Sequence, residues 1–237
     1  MTPHPKSIHA SQIVYEDNHV IIINKLPSEI VQADKTGDLC LADKLKNFIK
    51  QRDNKPGNVF MGVIHRLDRP VSGIVMFAKT SKGLSRFNEM MREKEMQKCY
   101  WAVVKNKPAK EEAHLVHYLI KNEKTNKARA YDKPVEKALR AEMEYKLISS
   151  SDNYHLLEIK LITGRHHQIR AQLAAIGCPI KGDLKYGFDR SNKDGSIHLH
   201  SYKLTFMHPV KHQEITVTAL PNAEDPVWKY FIGQIKK

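Results

Sequence analysis

Apolar residues recur along this chain in two rhythms. In the first they alternate or run in short blocks, as β-strands require. Met143, Tyr145 and Leu147 alternate, and Leu157, Ile159 and Leu161 alternate with Glu158 and Lys160, which predicts half-buried antiparallel strands. Ile13-Val14-Tyr15 and Val20–Ile23 flank the turn Glu16-Asp17-Asn18 and read as a tight strand pair. Further strands are expected after Ser72-Gly73 as far as Thr80-Ser81, and over 100–104, 114–120, 198–206 and 214–219. The second rhythm is helical: Leu41, Leu45, Phe48 and Ile49; Leu84, Phe87 and Met91; Ile169, Leu173 and Ile176; and Trp228, Phe231, Ile232 and Ile235. A serine at the Thr80-Ser81 junction can cap the second of these helices, Gly177 and Pro179 stop the third, and Asp225-Pro226 starts the fourth.

Residues 1–11 hold two prolines and two histidines without periodicity, which predicts a flexible tail. From 12 to 237 there is no repeat and no low-complexity linker, so this stretch is expected to form one α+β domain dominated by antiparallel strands, with room for two lobes around a cleft. The polar, lysine-rich stretch Lys121–Lys133 is expected as a surface hairpin or loop.

Charge changes the picture more than length does. Lysine and arginine number 39 against 26 acids, a formal charge of +13. That excess suits a polyanionic partner, where phosphate neutralisation drives association and makes it salt-dependent. Cys40, Cys99 and Cys178 are isolated and form no Cys-x-x-Cys pair, which supports neither a disulfide scaffold nor structural zinc. The opening residues lack the apolar core of a signal peptide, and no apolar run approaches the ~18 residues of a membrane span. A cytoplasmic protein that does not engage membranes is expected. No exposed apolar stripe stands out, so a monomer is expected.

The segment His65–Thr80 concentrates the candidate chemistry. Arg66 and Arg69 flank Asp68, His65 lies just upstream, and a Pro-x-Ser-Gly turn leads into an apolar run. A carboxylate among cations favours its charged form, and an ionised, aimed carboxylate can act as a nucleophile. A second stretch, Thr163–Arg170, also places arginines, histidines and a glycine at a strand end. Arg170 falls in the first turns of a helix, where the dipole does not favour a cation. Either it is solvated or it reaches Asp68 as a bidentate partner.

Several segments together resemble the RluA-type pseudouridine synthase family. They are His65-Arg66-Leu67-Asp68 with Ser72-Gly73; Lys98-Cys99-Tyr100-Trp101-Ala102-Val103-Val104; Thr163-Gly164-Arg165-His166-His167-Gln168-Ile169-Arg170; Gly177-Cys178-Pro179-Ile180-Lys181-Gly182-Asp183; and Leu199-His200 with His208-Pro209. They occur in the family's order from about residue 12 to 220.

The resemblance implies the pseudouridine synthase fold: a mostly antiparallel mixed sheet with flanking helices and a central RNA-binding cleft. It implies isomerisation of uridine to pseudouridine in tRNA or rRNA, not DNA, with no cofactor and no metal. Asp68 is then the essential carboxylate, Tyr100 packs on the target base and can abstract the final proton, and Arg170 pairs with the aspartate. Arg66 enters the RNA stack, with His65, Arg69, Arg165, His167 and Gln168 as further RNA contacts. The buried base must be flipped out, at a few kcal/mol. Asp68 either adds to the ring or assists departure at the sugar.

The chain departs from the family at Asn24-Lys25-Leu26-Pro27-Ser28, where the usual pattern is Asn-Lys-Pro, a small residue and glycine. Val71 and His166 each stand where threonine is usual. No separate RNA-binding domain is expected ahead of the motifs. Two rivals remain: a metal-dependent RNA-processing enzyme suggested by the His166-His167 pair, and an RNA-binding assembly factor that keeps the fold without using the chemistry.

Overall fold

In the computed structural model, which describes residues 7–34 and 37–235, the chain divides into two units: Met1–Met96 with Lys203–Ala219, and Gln97–Tyr202 with Leu220–Lys237. The first unit begins where two of the expected strands, Ile13–Glu16 (β1) and Val20–Lys25 (β2), pair antiparallel, with Asp17 Oδ1 accepting from the His19 and Val20 amides to close the turn. Ser72–Ala78 (β4) pairs antiparallel with β2, and Gly62–Val63 (β3) with β4.

All seven residues of β4 are buried, because both of its faces are covered. Ile21, Ile23, Val75 and Phe77 pack with Leu41, Leu45 and Ile49 of helix α1 (Leu41–Arg52). Val20, Ile22, Ile74 and Met76 pack on the other side with Phe87 and Met90 of helix α2 (Ser81–Arg92). A strand buried on both faces reads as an unbroken apolar run, which is how it appears in the sequence.

Three expectations are corrected in this unit. Residues 1–6 of the expected tail lie outside the described residues, but Ile8 is 4% exposed within the α1 cluster and Ala10–Gln12 form a 3-10 turn, so the chain is anchored well before residue 12. The cap of α2 is Thr80, whose Oγ1 accepts from the Gly83 amide at 3.0 Å, a contact worth about 1 kcal/mol; Ser81 is already helical. The buried methionine of α2 is Met90, and Met91 is partly buried against the same cluster.

The second unit holds five strands in the order β5-β9-β8-β6-β7, every neighbouring pair antiparallel: Gln97–Val104 (β5), Glu112–Asn122 (β6), Lys127–Tyr131 (β7), Leu139–Ser150 (β8) and His155–Leu161 (β9). The lysine-rich stretch resolves into the β6–β7 hairpin. Helix α3 (Gln168–Ala175) covers one face, where its Ala171 packs with Leu119, Ala128 and Ala141. Gly177, at φ +75°, ends it: the Gly177 amide donates to the Ala174 carbonyl and the Cys178 amide to the Leu173 carbonyl, satisfying two orphan acceptors.

Helix α4 (Pro226–Ile235) covers the opposite face, where Trp228, Phe231 and Ile232 meet Trp101, Val103 and Leu156. Burying those three helical side chains is worth roughly 1.5–3 kcal/mol each as an upper bound. Ile235 is 41% exposed, so the apolar stripe ends a turn earlier than its spacing suggests. Strand β10 (Leu199–Met207) is divided between the units at Tyr202/Lys203, and its second half pairs antiparallel with β11 (Glu214–Thr218).

Candidate active site

In the first unit, Asp68 opens a tight turn: its carbonyl accepts from the Val71 amide at 3.0 Å. The turn is held from below by Lys25, which is fully buried. Its Nζ donates to the carbonyls of Leu26 (2.9 Å), Arg69 (3.1 Å) and Val71 (2.6 Å). The Ser28 amide also donates to the Arg69 carbonyl, at 2.7 Å. Burial pulls the Lys25 pKa down to about 7, against upward pulls from the Glu29 and Asp68 carboxylates. Lys25, which stands in an N-terminal motif of the sequence, is thus a cation whose field reaches Asp68.

In that motif the family's glycine is replaced by a residue that takes the left-handed conformation glycine favours. Ser28 stands at the glycine position and takes φ +68°, a left-handed conformation costing a non-glycine residue roughly 1–2 kcal/mol. Glu29, 3% exposed, ties the segment together: its Oε1 meets Lys44 Nζ at 2.8 Å and its Oε2 accepts from the Leu26 amide.

The flanking arginines separate in role. Arg69 Nη2 lies 2.7 Å from Asp38 Oδ2 and 3.7 Å from Asp34 Oδ2, so its guanidinium faces loop carboxylates. Arg66 is exposed and His65 half-buried.

In the second unit, Tyr100 lies on β5 opposite Ile159, 6% exposed. After β9 the chain turns through Thr163–His167 into α3, and Gln168 fixes that turn. Its Oε1 accepts from Thr163 Oγ1 (2.8 Å) and the Arg165 amide (2.9 Å), and its Nε2 donates to the Glu142 carbonyl (2.9 Å). Gln168 is 3% exposed, and His167, 8% exposed with φ +52°, places Nδ1 2.9 Å from the Tyr186 hydroxyl. These two side chains hold the turn and the start of α3 together. Arg165 is exposed, with Nε donating to the Arg140 carbonyl at 3.1 Å.

Arg170 is 5% exposed and meets Asp183, 1% exposed, in a bidentate pair: Nε to Oδ2 at 2.7 Å and Nη2 to Oδ1 at 2.8 Å. Its guanidinium also lies 5.0 Å from the Tyr186 ring centroid. This answers the missing dipole support, since a buried carboxylate compensates the cation instead. Asp183 is presented by Gly182, where φ is +87° and an added Cβ would lie 2.7 Å from Asn192 Nδ2 and 2.8 Å from the Ser196 carbonyl oxygen, so that only glycine fits. Asp183 was legible as part of the Gly182-Asp183 motif, but its task was not.

The three cysteines are free thiols. His166 and His167 stack ring on ring at 3.8 Å, and among the described residues no group of three or more histidines, cysteines or acids is arranged to hold a metal ion. No helix among the described residues is long and apolar enough to cross a membrane.

Comparison with known proteins agrees with this architecture. The family described as RNA pseudouridylate synthase matches residues 19–175. The chain is 30% identical over 243 residues to the tRNA pseudouridine synthase C of Vibrio cholerae, covering 94% of this chain and 95% of that protein. It is 33% identical over 186 residues to the ribosomal large subunit pseudouridine synthase C of Rickettsia bellii, covering 78% of this chain and 60% of that enzyme. Among solved structures, human RNA Pseudouridylate Synthase Domain Containing 4 superposes with a TM-score of 0.77 at 22% identity, covering 93% of this chain and 92% of that one, a likeness of fold. With the ordered motifs, the antiparallel fold and these relatives together, the chain belongs to the RluA-type RNA pseudouridine synthase family, whose members are isomerases.

Proposed function

We propose that this enzyme converts specific uridines in tRNA or rRNA to pseudouridine, with Asp68 as its only catalytic carboxylate. The observation that carries this reading is the pinned turn at Asp68: Lys25 and the Ser28 amide hold the Arg69 carbonyl, and Lys25 the Val71 carbonyl, so the carboxylate projects from a backbone of fixed shape. A buried framework that fixes one side chain is what a positioned nucleophile needs.

The reaction breaks the bond between N1 and the sugar C1′, turns the uracil and joins C5 to C1′. The C5 proton leaves and N1 regains one, so no oxidant or outside group is required. The Asp68 carboxylate acts either by adding to the ring or by stabilising C1′ as the base departs. Tyr100 packs on the flipped base and removes the C5 proton. Arg170, its guanidinium plane already set by Asp183, serves as the carboxylate's partner. Exposed Arg66 enters the stack vacated by the base, helping offset the few kcal/mol of flipping. The names of the relatives support both RNA classes as substrates, one being a tRNA enzyme and another a ribosomal large subunit enzyme.

The test maps pseudouridines in total tRNA and rRNA from cells with and without the gene, then adds back purified protein. Sites that vanish without the gene and return with wild-type protein are expected. If purified protein restores none, the RNA-binding assembly factor becomes the better reading.

A further inference from the structure

Several lysines are drawn against or into the protein, and most are answered from within it. Lys44 meets Glu29, Lys25 meets three carbonyls, and Lys181 Nζ donates to Asn192 Oδ1 at 2.7 Å. Lys98 is not. It lies half-buried on β5 opposite Leu161, and among the described residues it makes no ion pair and no side-chain hydrogen bond. Burial holds its pKa below the ordinary lysine value, with no carboxylate offsetting the shift.

An uncompensated ammonium in such a place is unfavourable for folding and gains nothing from the protein around it. It gains if an anion arrives with a ligand. The surroundings suit that arrival. Lys98 lies two residues from Tyr100 on the same face of β5, about 7 Å along the strand. A Cβ built on Gly164 would sit 3.8 Å from Lys98 Nζ, so the ammonium reaches over the turn that leads to α3. Gly164 and Arg165 are both exposed there, so the approach carries no side chain at 164 and a second cation at 165.

We propose that Lys98 is a phosphate subsite: its ammonium, beside Tyr100 and over Gly164, meets a backbone phosphodiester oxygen of the RNA next to the nucleotide whose base packs on Tyr100. This rests on the proposed RNA substrate and adds to it a fixed electrostatic anchor close to the reacting nucleotide. One phosphate on each nucleotide supplies an anion at that reach whatever the sequence, so Lys98 contributes affinity and register and not base choice.

The test measures tRNA binding by wild type, Lys98→Met and Lys98→Arg across a series of salt concentrations, with unfolding midpoints alongside. Lys98→Met is expected to bind several-fold more weakly at low salt and to reduce the log–log salt slope by about 0.7–0.9, the loss of one phosphate contact. Lys98→Arg should restore the slope. Because the ammonium has no partner among the described residues, Lys98→Met should be at least as stable as wild type. A Lys98→Met protein with the wild-type salt slope, or one that loses stability in place of slope, overturns the subsite. The outcomes separate from the function itself: a wild-type protein that makes no pseudouridine defeats the function, whereas an unchanged slope in an active Lys98→Met enzyme defeats only Lys98.

Discussion

Removing the Asp183 carboxylate should loosen the second unit and disable Arg170 together. The pair comprises two charge-assisted hydrogen bonds, 2.7 and 2.8 Å, between side chains 6% and 1% exposed. At about 1.5–3 kcal/mol for each bond to a charged group, their loss amounts to roughly 3–6 kcal/mol. Measured losses for one partner of a buried pair are about 3–5 kcal/mol, and the overlap sets the expectation for Asp183→Ala at about 3–5 kcal/mol. With a urea dependence near 3 kcal/mol per molar, the midpoint falls by about 1–2 M. The assay is selective, because the chain's two tryptophans, Trp101 and Trp228, both lie buried in the second unit, so tryptophan fluorescence follows that unit's unfolding. Asp183→Asn keeps the shape and one acceptor, so it separates charge from packing. Under conditions where it remains folded, turnover should fall at least ~10-fold, equivalent to about 1.4 kcal/mol of transition-state stabilisation, while RNA affinity changes little. A midpoint shift below ~0.3 M for Asp183→Ala, about 1 kcal/mol on the same slope, would refute the reasoning.

Lys25→Met should leave the Leu26 and Val71 carbonyls without their donor, costing about 2–4 kcal/mol and speeding amide exchange over residues 66–72, with turnover falling in step; unchanged exchange would remove Lys25 as the support of the turn. Ser28→Gly should be neutral or stabilising by up to ~1 kcal/mol and Ser28→Val destabilising by at least ~1 kcal/mol in calorimetry, because φ is +68° there; equal stability of all three would contradict the strain. Stability should also depend on pH through His198. Burial holds its pKa below the usual histidine value against the pull of Asp225, and the neutral ring donates from Nε2 to Asp225 Oδ1 while Nδ1 accepts from Asn192 Nδ2. The unfolded chain therefore binds the proton more readily, so stability is full above about pH 6.5 and declines as pH falls below it, by at most ~1.4 kcal/mol per pH unit. The fluorescence midpoint should drop less between pH 7.5 and 5.5 in His198→Gln than in wild type, and equal drops would rule His198 out.

Local order was largely legible because it depends on nearby residues. The alternation at Met143–Leu147 and Leu157–Leu161 became β8 and β9, and the spacing of Leu41, Leu45 and Ile49 became α1. The family's motifs were legible through their order along the chain, which is a resemblance and not a derivation. What stayed hidden depends on contacts distant in sequence. Lys25 reaches carbonyls 44 and 46 residues away, and nothing in its own neighbourhood marks it as the support of Asp68. Arg170 finds Asp183 only because Gly177 ends α3 and Gly182 turns the chain back. The hydrogen bonds of Gln168 and His167 stayed hidden for the same reason, since their partners Glu142 and Tyr186 come from other elements. Ser28, at the motif's glycine position, takes φ +68°, a left-handed conformation that its residue type does not announce.

That Asp68 carries the chemistry is tested most directly with RNA tritiated at C5 of uridine, because forming the C5–C1′ bond expels that hydrogen into water. Wild-type protein should release tritium from a substrate RNA that it binds, and Asp68→Asn should bind the same RNA with similar affinity and release none. Tritium release by Asp68→Asn at a rate near wild type would contradict the assignment.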